Sequence, residues 1–455
     1  MTPSPGDTPN RPHLRADETN LEPHTHTRTE GTGPEPHTHT RVEGTRPGAR
    51  AHLRVEGADP RRRGDDRGRR TGAEIARAWG TYSELFETTA AARGMSLDVP
   101  SLALGAVSAT RAWAPELVAE MEGVAEGAGV PLWMIAALNA RTEILAVAGA
   151  PRSGECSTVV HTGGHTVAGH TPGGHTMADH TPGGHTVAGH TLGGHTVDRH
   201  ALGEHTPGGQ TWGGQTWDWH QELAGAWHTQ SVRGDALGFT GITEYGILGK
   251  IGVNEAGVGV LFNILGHEDD GAGGVPVHLV ARRVLGGAAS FAEAMSILGD
   301  APVSASTVIT IVTEDQVASV ELSPAGAVTV PPDEEGWLVH TNHFLDPLPA
   351  GGELRGRLEP ETYDRLRVLG TRAHERHGLD GAGDLAALLS VHPDGGAEVC
   401  CHPPATGRLG TRWATLATVA VDPAARRLHV HDGGPCSATP RTWTPLTAPN
   451  TSPTT

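Results

Sequence analysis

The sequence predicts an α+β protein in which helices cover the outer faces of β-sheets, and three observations support this prediction. Residues 71–150 show the apolar spacing of helices. From Cys156 onward the chain changes to short β-branched segments bounded by Gly, Asn, Asp or Pro. Helical patterns return between these segments, first at 276–299. Strands in runs with helices grouped between them are typical of sheets whose outer faces are covered by helices.

The predicted helices are recognised by their periodicity. The i, i+4, i+7, i+11 spacing of one helical face is occupied by Ile75, Trp79, Tyr82 and Phe86. Residues 276–299 are predicted to form two consecutive helices, the second opened by a Ser N-cap. Further helices are predicted at 115–126, 132–145, 360–376 and 383–390. The predicted strands are "STVV", "ILGKIGV", "GVGVLFNIL", "STVITIVT", "QVASVEL", "GWLVH", "ATLATVAVD" and "RRLHVHDG".

Two tracts lack the large apolar residues of a core. Residues 1–65 are rich in Pro, Gly, Thr, Arg and Glu and contain the near-duplicate "EPHTHTRTEGTGP" and "EPHTHTRVEGTRP", which predicts a disordered arm. The second tract, 161–214, is a low-complexity repeat, and a short disordered tail is predicted at 446–455. Setting the first two aside leaves about 336 residues, enough for one large domain.

Charge and hydropathy exclude several classes of protein. The net charge of −18 argues against a nucleic-acid partner. Residues 46–70 carry nine Arg against four acids, which we interpret as a solvated tail. No stretch approaches the ~18 apolar residues of a membrane span, and the N-terminus lacks the apolar region of a signal peptide. The expectation is therefore a cytoplasmic protein with no membrane partner.

The chain has four cysteines, Cys156, Cys400, Cys401 and Cys436. Their spacing matches neither a zinc ribbon nor a disulfide framework, so reduced thiols and no metal site are expected. The adjacent pair Cys400 and Cys401 is expected in the core or a loop.

A five-residue beat of the type HTPGG runs from His165 to "QTWDW" at 215. A strand has a period of two, so these histidines would alternate between faces, and the glycines interrupt any ladder. We interpret the tract as an expanded hairpin loop between the strands "CSTVVH" and "QTWDWH", since loop closure depends only weakly on length. The alternative is a non-catalytic scaffold or metal-binding protein that uses the repeated histidines, namely His161, His165, His170, His175, His180, His185, His190, His195, His200 and His205.

With the loop set aside, Cys156 in "GECST" neighbours the "WDW" of the returning strand. These and other segments resemble the acyl-coenzyme A:6-aminopenicillanate acyltransferase family, the C45 peptidase-like branch of the N-terminal-nucleophile hydrolases. The resemblance covers about residues 66–440 and includes "RGRRTGAEIARAWG", "EGVAEGAGVPLWMIAALNARTEI", "TEYGILGKIGVNEAGVGVLFNIL", "GVPVHLVARRVL", "VHTNHF" and "TRWATLATVAVD". It implies a four-layer αββα sandwich.

The resemblance also implies a mechanism. A precursor of this family cuts itself before the nucleophile, and the new α-amino group, with a pKa near ~8, serves as the base. Here the cut falls between Glu155 and Cys156. It separates a helical, propeptide-like segment, 66–155, from a catalytic domain, 156–445, and the two chains are expected to remain associated.

Further roles follow from motif positions in the resemblance. Asn342 matches an oxyanion-stabilising Asn, and Asp218 matches a carboxylate beside the new N-terminus. Thr411 and Arg412 match a Ser-Arg pair at the substrate. From the residues alone, Asp218 is equally a turn residue and Arg412 equally a surface ion pair.

The expected activity is cleavage or transfer of the acyl group of a small-molecule amide or thioester through a Cys156 acyl-enzyme, with no cofactor and with acyl-CoA as a possible substrate. A choloylglycine-type or ceramidase-type amidase is a rival within the same chemistry. Three positions depart from the fungal pattern: Glu155 replaces Gly, Thr216 replaces Asn, and Cys401 replaces Arg.

Overall fold

The structure is a computed structural model of the 455-residue chain, and it describes residues 50–149, 156–163, 209–234 and 236–450. Two antiparallel-rich sheets lie between helices. Among the described residues, eleven α-helices are found: α1 (Pro60–Ala91), α2 (Val99–Trp113), α3 (Pro115–Ala128), α4 (Leu132–Asn139), α5 (Arg141–Ala148), α6 (Val277–Gly287), α7 (Phe291–Gly299), α8 (Pro347–Ala350), α9 (Arg355–Leu358), α10 (Glu361–His374) and α11 (Ala382–Leu389).

The described residues form fourteen strands: β1 (His52–Glu56), β2 (Ser157–His161), β3 (Trp212–His220), β4 (Trp227–Arg233), β5 (Phe239–Glu244), β6 (Ile251–Asn254), β7 (Gly259–Ile264), β8 (Thr307–Val312), β9 (Val317–Ser323), β10 (Gly326–Val330), β11 (Trp337–His340), β12 (Trp413–Asp422), β13 (Arg427–Asp432) and β14 (Thr444–Thr447). Sheet A has the order β1-β4-β5-β6-β7-β8-β9-β10, and sheet B has the order β11-β2-β3-β12-β13-β14. Only the β1–β4 pair is parallel among these described strands.

The two sheets pack face to face and each carries helices on its other face. β2 and β3 of sheet B contact β7 of sheet A, and β13 contacts β5 and β6. α6 and α7 pack on sheet A, while α10 and α11 pack on sheet B. The layers therefore run helix, sheet, sheet, helix, which confirms the predicted α+β sandwich.

The strand that follows Cys156 lies inside sheet B. β2 pairs with β11 on one side and with β3 on the other, and four of its five residues are buried. All nine residues of β3 are buried as well. A strand buried on both faces consists of apolar and fully hydrogen-bonded polar residues, so the position after Cys156 is rigid.

β2 and β3 form the antiparallel pair that the hairpin interpretation predicts, with Ser157 opposite Thr216 and His161 opposite Trp212. The ends of the insertion meet: a Cβ added to Gly163 would lie 1.5 Å from the carbonyl oxygen of Gly209. Most of the repeat, from residue 164 to 208, lies outside the described residues.

The described structure includes regular elements inside the predicted arm of residues 1–65. β1 adds to the edge of sheet A beside β4, and α1 begins at Pro60, capped by Asp59, whose side chain accepts from the N–H of Arg62. The basic composition of this segment predicts a solvated tail. In the structure the segment forms a helix in which Arg63 and Arg67 are buried and ion-paired with Glu120. At the other end, β14 extends to Thr447 and so enters the predicted tail of residues 446–455. Residues 1–49 lie outside the described residues.

The helices that precede Cys156 are joined to the rest by buried charges. Glu120 of α3 lies 2.8 Å from Arg63 of α1 and 2.9 Å from Arg282 of α6. The surrounding arginines hold the pKa of Glu120 at about 2 in spite of its burial. Breaking such a pair leaves an uncompensated buried charge, which costs about 3–5 kcal/mol.

α1 and α3 pack closely because glycines face the contact. A Cβ added to Gly64 would lie 2.1 Å from the carbonyl oxygen of Glu120, and one added to Gly123 would lie 1.9 Å from that of Arg61. Gly80, further along α1, faces open space.

No helix in the described part of the chain has both the length and the apolar character needed to cross a membrane.

Candidate active site

Cys156 is placed at the entrance to β2 and is only 5% exposed. Its Sγ lies 3.9 Å from the carbonyl oxygen of Asp218 on the neighbouring β3. Burial raises the pKa of the Cys156 thiol, and the Asp218 carboxylate raises it further, while Lys250 and Arg355 oppose the shift. In the intact chain the sulfur is therefore a neutral thiol at pH 7.

Two side chains hold the backbone carbonyl of Cys156. Asn263 of β7 donates from Nδ2 over 3.0 Å, and Arg365 of α10 donates from Nη1 over 3.1 Å. The same Nη1 lies 3.1 Å from Ser157 Oγ. Because these donors come from sheet A and from the helix outside sheet B, the position of Cys156 depends on both halves of the sandwich.

Arg365 also connects Cys156 to Asn342. Its Nη2 donates to Asn342 Oδ1 over 3.1 Å, and Asn342 Nδ2 donates to the carbonyl oxygen of Ile264 over 2.8 Å. The Asn342 N–H donates to Thr362 Oγ1 over 2.9 Å. A side-chain amide nitrogen carries two N–H groups, so the fixed amide has a second donor beside the one that Ile264 uses.

Asp218 orients the residue that follows the cysteine. Thr216 Oγ1 donates to Asp218 Oδ2 over 3.2 Å and accepts from the Ser157 N–H over 3.2 Å. Asp218 is fully buried in β3, where it pairs with Thr415 of β12. The carboxylate thus acts on the start of β2 through Thr216.

A second set of buried charges lies behind the tryptophans that flank Asp218. Glu244 contacts Arg141 at 3.0 Å and Lys250 at 3.3 Å. The Lys250 ammonium sits 3.9 Å from the centre of the Trp217 ring, and the Arg141 guanidinium lies 4.2 Å from that of Trp219. Burial lowers the pKa of Lys250 to about 7, against the opposing effect of Glu244. The site therefore contains an amine that titrates near neutrality.

A cavity of about 200 Å³ adjoins this cluster. It meets the cluster at Ile264, whose carbonyl accepts from Asn342, and at Trp219, which follows Asp218. Cys156 is not among its lining residues. The other lining residues include Leu85, Leu145, Leu409, Thr411 and Trp413, so the wall is largely apolar.

The predicted site residues are distributed unevenly. Cys156, Asn342 and Asp218 come together through the contacts above. Thr411 lines the cavity and donates from Oγ1 to the Arg408 carbonyl over 2.8 Å. Arg412 instead forms a 3.3 Å ion pair with Glu222 and is 28% exposed, which matches the alternative of a surface ion pair.

Three residues that contact or surround Cys156 were not predicted from the sequence. Asn263 could have been found from the sequence, since it is an amide inside the apolar run "VGVLFNIL". Lys250 is indicated more weakly, as the only lysine of the chain. Arg365 is not indicated, because an arginine in a charged helix is expected on the surface. Glu155, the predicted residue before the cut, lies outside the described residues.

The sequence matches a family model over residues 205–435, more than half of the chain, and that model is described as acyl-coenzyme A:6-aminopenicillanic acid acyl-transferase. The chain belongs to this acyltransferase family. A curated relative in Emericella nidulans is the 40 kDa form of acyl-coenzyme A:6-aminopenicillanic-acid-acyltransferase. It is 30% identical over 195 residues, which cover 43% of this chain and 53% of the relative. The chain thus matches about half the length of that relative.

Solved structures also match. An N-acylethanolamine-hydrolyzing acid amidase ortholog of Caenorhabditis elegans is 15% identical, with a TM-score of 0.34 over 47% of this chain and 88% of its own. Penicillin V acylase of Agrobacterium tumefaciens is 16% identical, with a TM-score of 0.32 over 49% and 79%. A conjugated bile acid hydrolase of Clostridium perfringens is 12% identical, with a TM-score of 0.34 over 52% and 88%.

Proposed function

We propose that this acyltransferase-family protein is a self-processing cysteine N-terminal-nucleophile enzyme. It cleaves or transfers the acyl group of a small-molecule amide or thioester through a Cys156 acyl-enzyme. The observation that supports this most is the bridge formed by Arg365, whose two terminal nitrogens hold the Cys156 carbonyl and the Asn342 amide at 3.1 Å each. One guanidinium thereby sets the distance between a nucleophile and an oxyanion donor, which is what acyl transfer requires.

Maturation consists of hydrolysis of the peptide bond between Glu155 and Cys156. Water supplies a hydroxyl to the Glu155 carbonyl carbon and a proton to the Cys156 nitrogen, which becomes an α-amino group. The raised pKa of the thiol in the intact chain explains why this step matters. Without a base beside it, a buried thiol stays protonated and is a weak nucleophile.

In the matured enzyme the α-amino group, with a pKa near ~8, accepts the thiol proton. The sulfur attacks the substrate carbonyl carbon, and the oxyanion accepts from the second N–H of Asn342. Such a donor contributes about 2.7–4 kcal/mol when tested in other enzymes. The ammonium then returns the proton to the leaving amine or thiol, and water or an amine takes the acyl group from the sulfur.

Asp218 and the cavity support the remaining parts of the proposal. Asp218 is buried, and its backbone carbonyl oxygen lies 3.9 Å from the Cys156 sulfur. Its carboxylate is close enough to raise the pKa of the thiol. A negative charge at this place stabilises a new ammonium group at residue 156. The largely apolar cavity that Ile264 helps to line provides a place for an acyl chain, and acyl-CoA is a candidate donor. No cofactor is required, and a cytoplasmic location remains our expectation.

The two chains are proposed to remain associated after the cut. The buried pairs of Glu120 with Arg282, and of Arg141 with Glu244, each join a residue before Cys156 to one after it. Separating the chains would expose or strand these charges. We therefore expect one native species that runs as two chains under denaturing conditions.

Intact mass spectrometry with N-terminal sequencing tests the proposal. The purified chain should convert into two chains of 155 and 300 residues, the second starting with Cys156. Cys156→Ala should remain a single 47.3 kDa chain, while the matched control Cys401→Ala should be cut like wild type. Cleavage of Cys156→Ala at the same bond would refute self-processing. The matured protein is then assayed against a panel of acyl amides and thioesters.

A further inference from the structure

A second group of nucleophilic side chains lies outside the cluster formed by Cys156, Asp218 and Asn342. One potential ligand atom each is offered by His392, Cys400, His402 and Cys436, and these four atoms all lie within 4.8 Å of one another. We call this group the Cys-His cluster. The four residues are separated by up to 44 positions in the sequence, so only the fold brings them together.

Four of the six separations in the Cys-His cluster are known individually, and they are close to the edges of a tetrahedron. With Zn–S near 2.3 Å and Zn–N near 2.05 Å, a tetrahedral ion needs S–S, S–N and N–N separations of about 3.8, 3.6 and 3.3 Å. The two sulfurs are 3.5 Å apart. His402 Nε2 lies 3.6 Å from Cys400 Sγ and 3.5 Å from Cys436 Sγ, and it lies 3.1 Å from His392 Nε2.

A disulfide explains these positions less well. A covalent S–S bond is about 2.05 Å long, and it would leave the two imidazoles without a reason to converge on the sulfurs. Two thiolates and two imidazoles are instead the ligand set of structural zinc sites. The geometry points to a structural Cys2His2 site for zinc or a similar divalent ion, formed by the Cys-His cluster.

The backbone around the Cys-His cluster is well fixed. The N–H groups of Val399 and Cys400 both donate to the Val391 carbonyl, at 3.1 and 2.9 Å, and close the loop that carries His392. Cys400 Sγ fits against Gly434, where an added Cβ would lie 2.7 Å away. Ligands that are placed before the ion arrives lose little conformational freedom on binding.

The site would tie together two segments next to the catalytic strands. Cys436 lies in the turn after β13, and Cys400 lies in the segment after α11. The next residue, Cys401, is bound to β12: its N–H donates to Thr415 Oγ1 over 2.9 Å, and the Thr415 N–H donates to its carbonyl over 3.0 Å. Thr415 is the partner of Asp218 across the sheet. Binding of the ion replaces two thiol protons, which are released to solvent.

Cobalt substitution of the reduced full-length chain tests the inference. Thiolate ligation gives a sulfur-to-cobalt charge-transfer band, which ligation by the histidine repeat alone cannot give. We expect about one equivalent of cobalt with this band and with the strong visible absorption of a tetrahedral ion. Cys436→Ser and Cys400→Ser should lose the charge-transfer intensity, while Cys401→Ser should keep it. Cys436 is exposed, so its replacement leaves no buried cavity.

A thermal measurement gives an independent result. Chelation of zinc should lower the melting temperature of wild type and of Cys401→Ser, but should leave Cys436→Ser unchanged. The inference is overturned if the reduced chain shows no thiolate band. It is also overturned if Cys401→Ser loses the band as fully as Cys436→Ser, or if all bound metal disappears on deletion of residues 164–208 alone.

Discussion

Replacement of Arg365 by lysine should distinguish the role of Arg365 in positioning Cys156 and Asn342 from the effect of its positive charge. The guanidinium makes three hydrogen bonds of 3.1 Å, to the Cys156 carbonyl, to Ser157 Oγ and to Asn342 Oδ1. Lysine keeps the positive charge, but an ammonium cannot reproduce the planar fork that reaches both residues. A hydrogen bond to a charged group contributes about 1.5–3 kcal/mol. Loss of the bond to Asn342 therefore predicts a rate of acyl transfer about 10- to 150-fold lower.

The assay compares Arg365→Lys with Arg367→Lys, a control on the same helix whose side chain is exposed and paired with Asp364. Intact mass over time gives the rate of cleavage before Cys156, and steady-state kinetics gives kcat and KM of the matured enzyme. We expect a lower kcat with little change in KM, since the bridge fixes reacting groups and does not line the cavity. If Arg365→Lys matches Arg367→Lys in both assays, the bridge has no role in the chemistry.

Three further predictions concern stability. Burial raises the pKa of Glu143 to about 7, so the folded chain holds a proton that the unfolded chain releases near 4.5, and stability falls as the pH rises from about 4.5 to 7. Glu143→Gln should remove this fall and, by urea unfolding, be up to about 3 kcal/mol more stable than wild type at pH 8 but similar to it at pH 4.5. The exposed control Glu116→Gln keeps Glu143, so its stability should fall with pH as that of wild type does. Gly64→Ala should destabilise the protein because of the 2.1 Å approach to backbone, whereas Gly80→Ala on the same helix should stabilise it by about 0.5–1 kcal/mol; equal melting temperatures would contradict the packing argument. Deletion of residues 164–208 shortens the β2–β3 loop tenfold and should raise the free energy of unfolding by about 2 kcal/mol. The bond before Cys156 should still be cut in this variant. Loss of folding would contradict the hairpin interpretation.

The sequence predicted elements best where a clear period exists. The face formed by Ile75, Tyr82 and Phe86 is buried in α1, and the segment predicted as one helix over 132–145 forms two, divided at Ala140. α2 was not predicted.

β4 and β5 escaped prediction because "WHTQSVR" and "FTGITE" are rich in polar residues and glycine, which hydrogen bonding inside sheet A satisfies. β14 is an edge strand with mostly exposed side chains, so alternation gives little signal there. β1 does alternate, with Leu53 and Val55 buried, but it lies within the tract whose composition predicted a disordered arm.

The site divides in the same way. Cys156 and Asp218 were placed together correctly because they lie on adjacent strands of one hairpin, a local relation that sequence can supply. Asn263 and Arg365 approach Cys156 from positions 107 and 209 residues away. The convergence of Cys400 and Cys436 with two histidines depends likewise on the packing of separate loops. Contacts of this kind follow from tertiary structure, and no periodicity in the sequence predicts them.

The buried contact of Glu120 with Arg63 and Arg282 has a consequence for how the mature protein would refold. The intact precursor folds with both arginines on the same polypeptide as their acid. If the bond before Cys156 is cut as proposed, the contact of Glu120 with Arg63 stays within one chain but the contact with Arg282 joins two chains, so renaturation from denaturant becomes second order in protein concentration. Native lifetime would then rest on the unfolding barrier, and a molecule that once opens fully would be lost to aggregation unless its former other half finds it again.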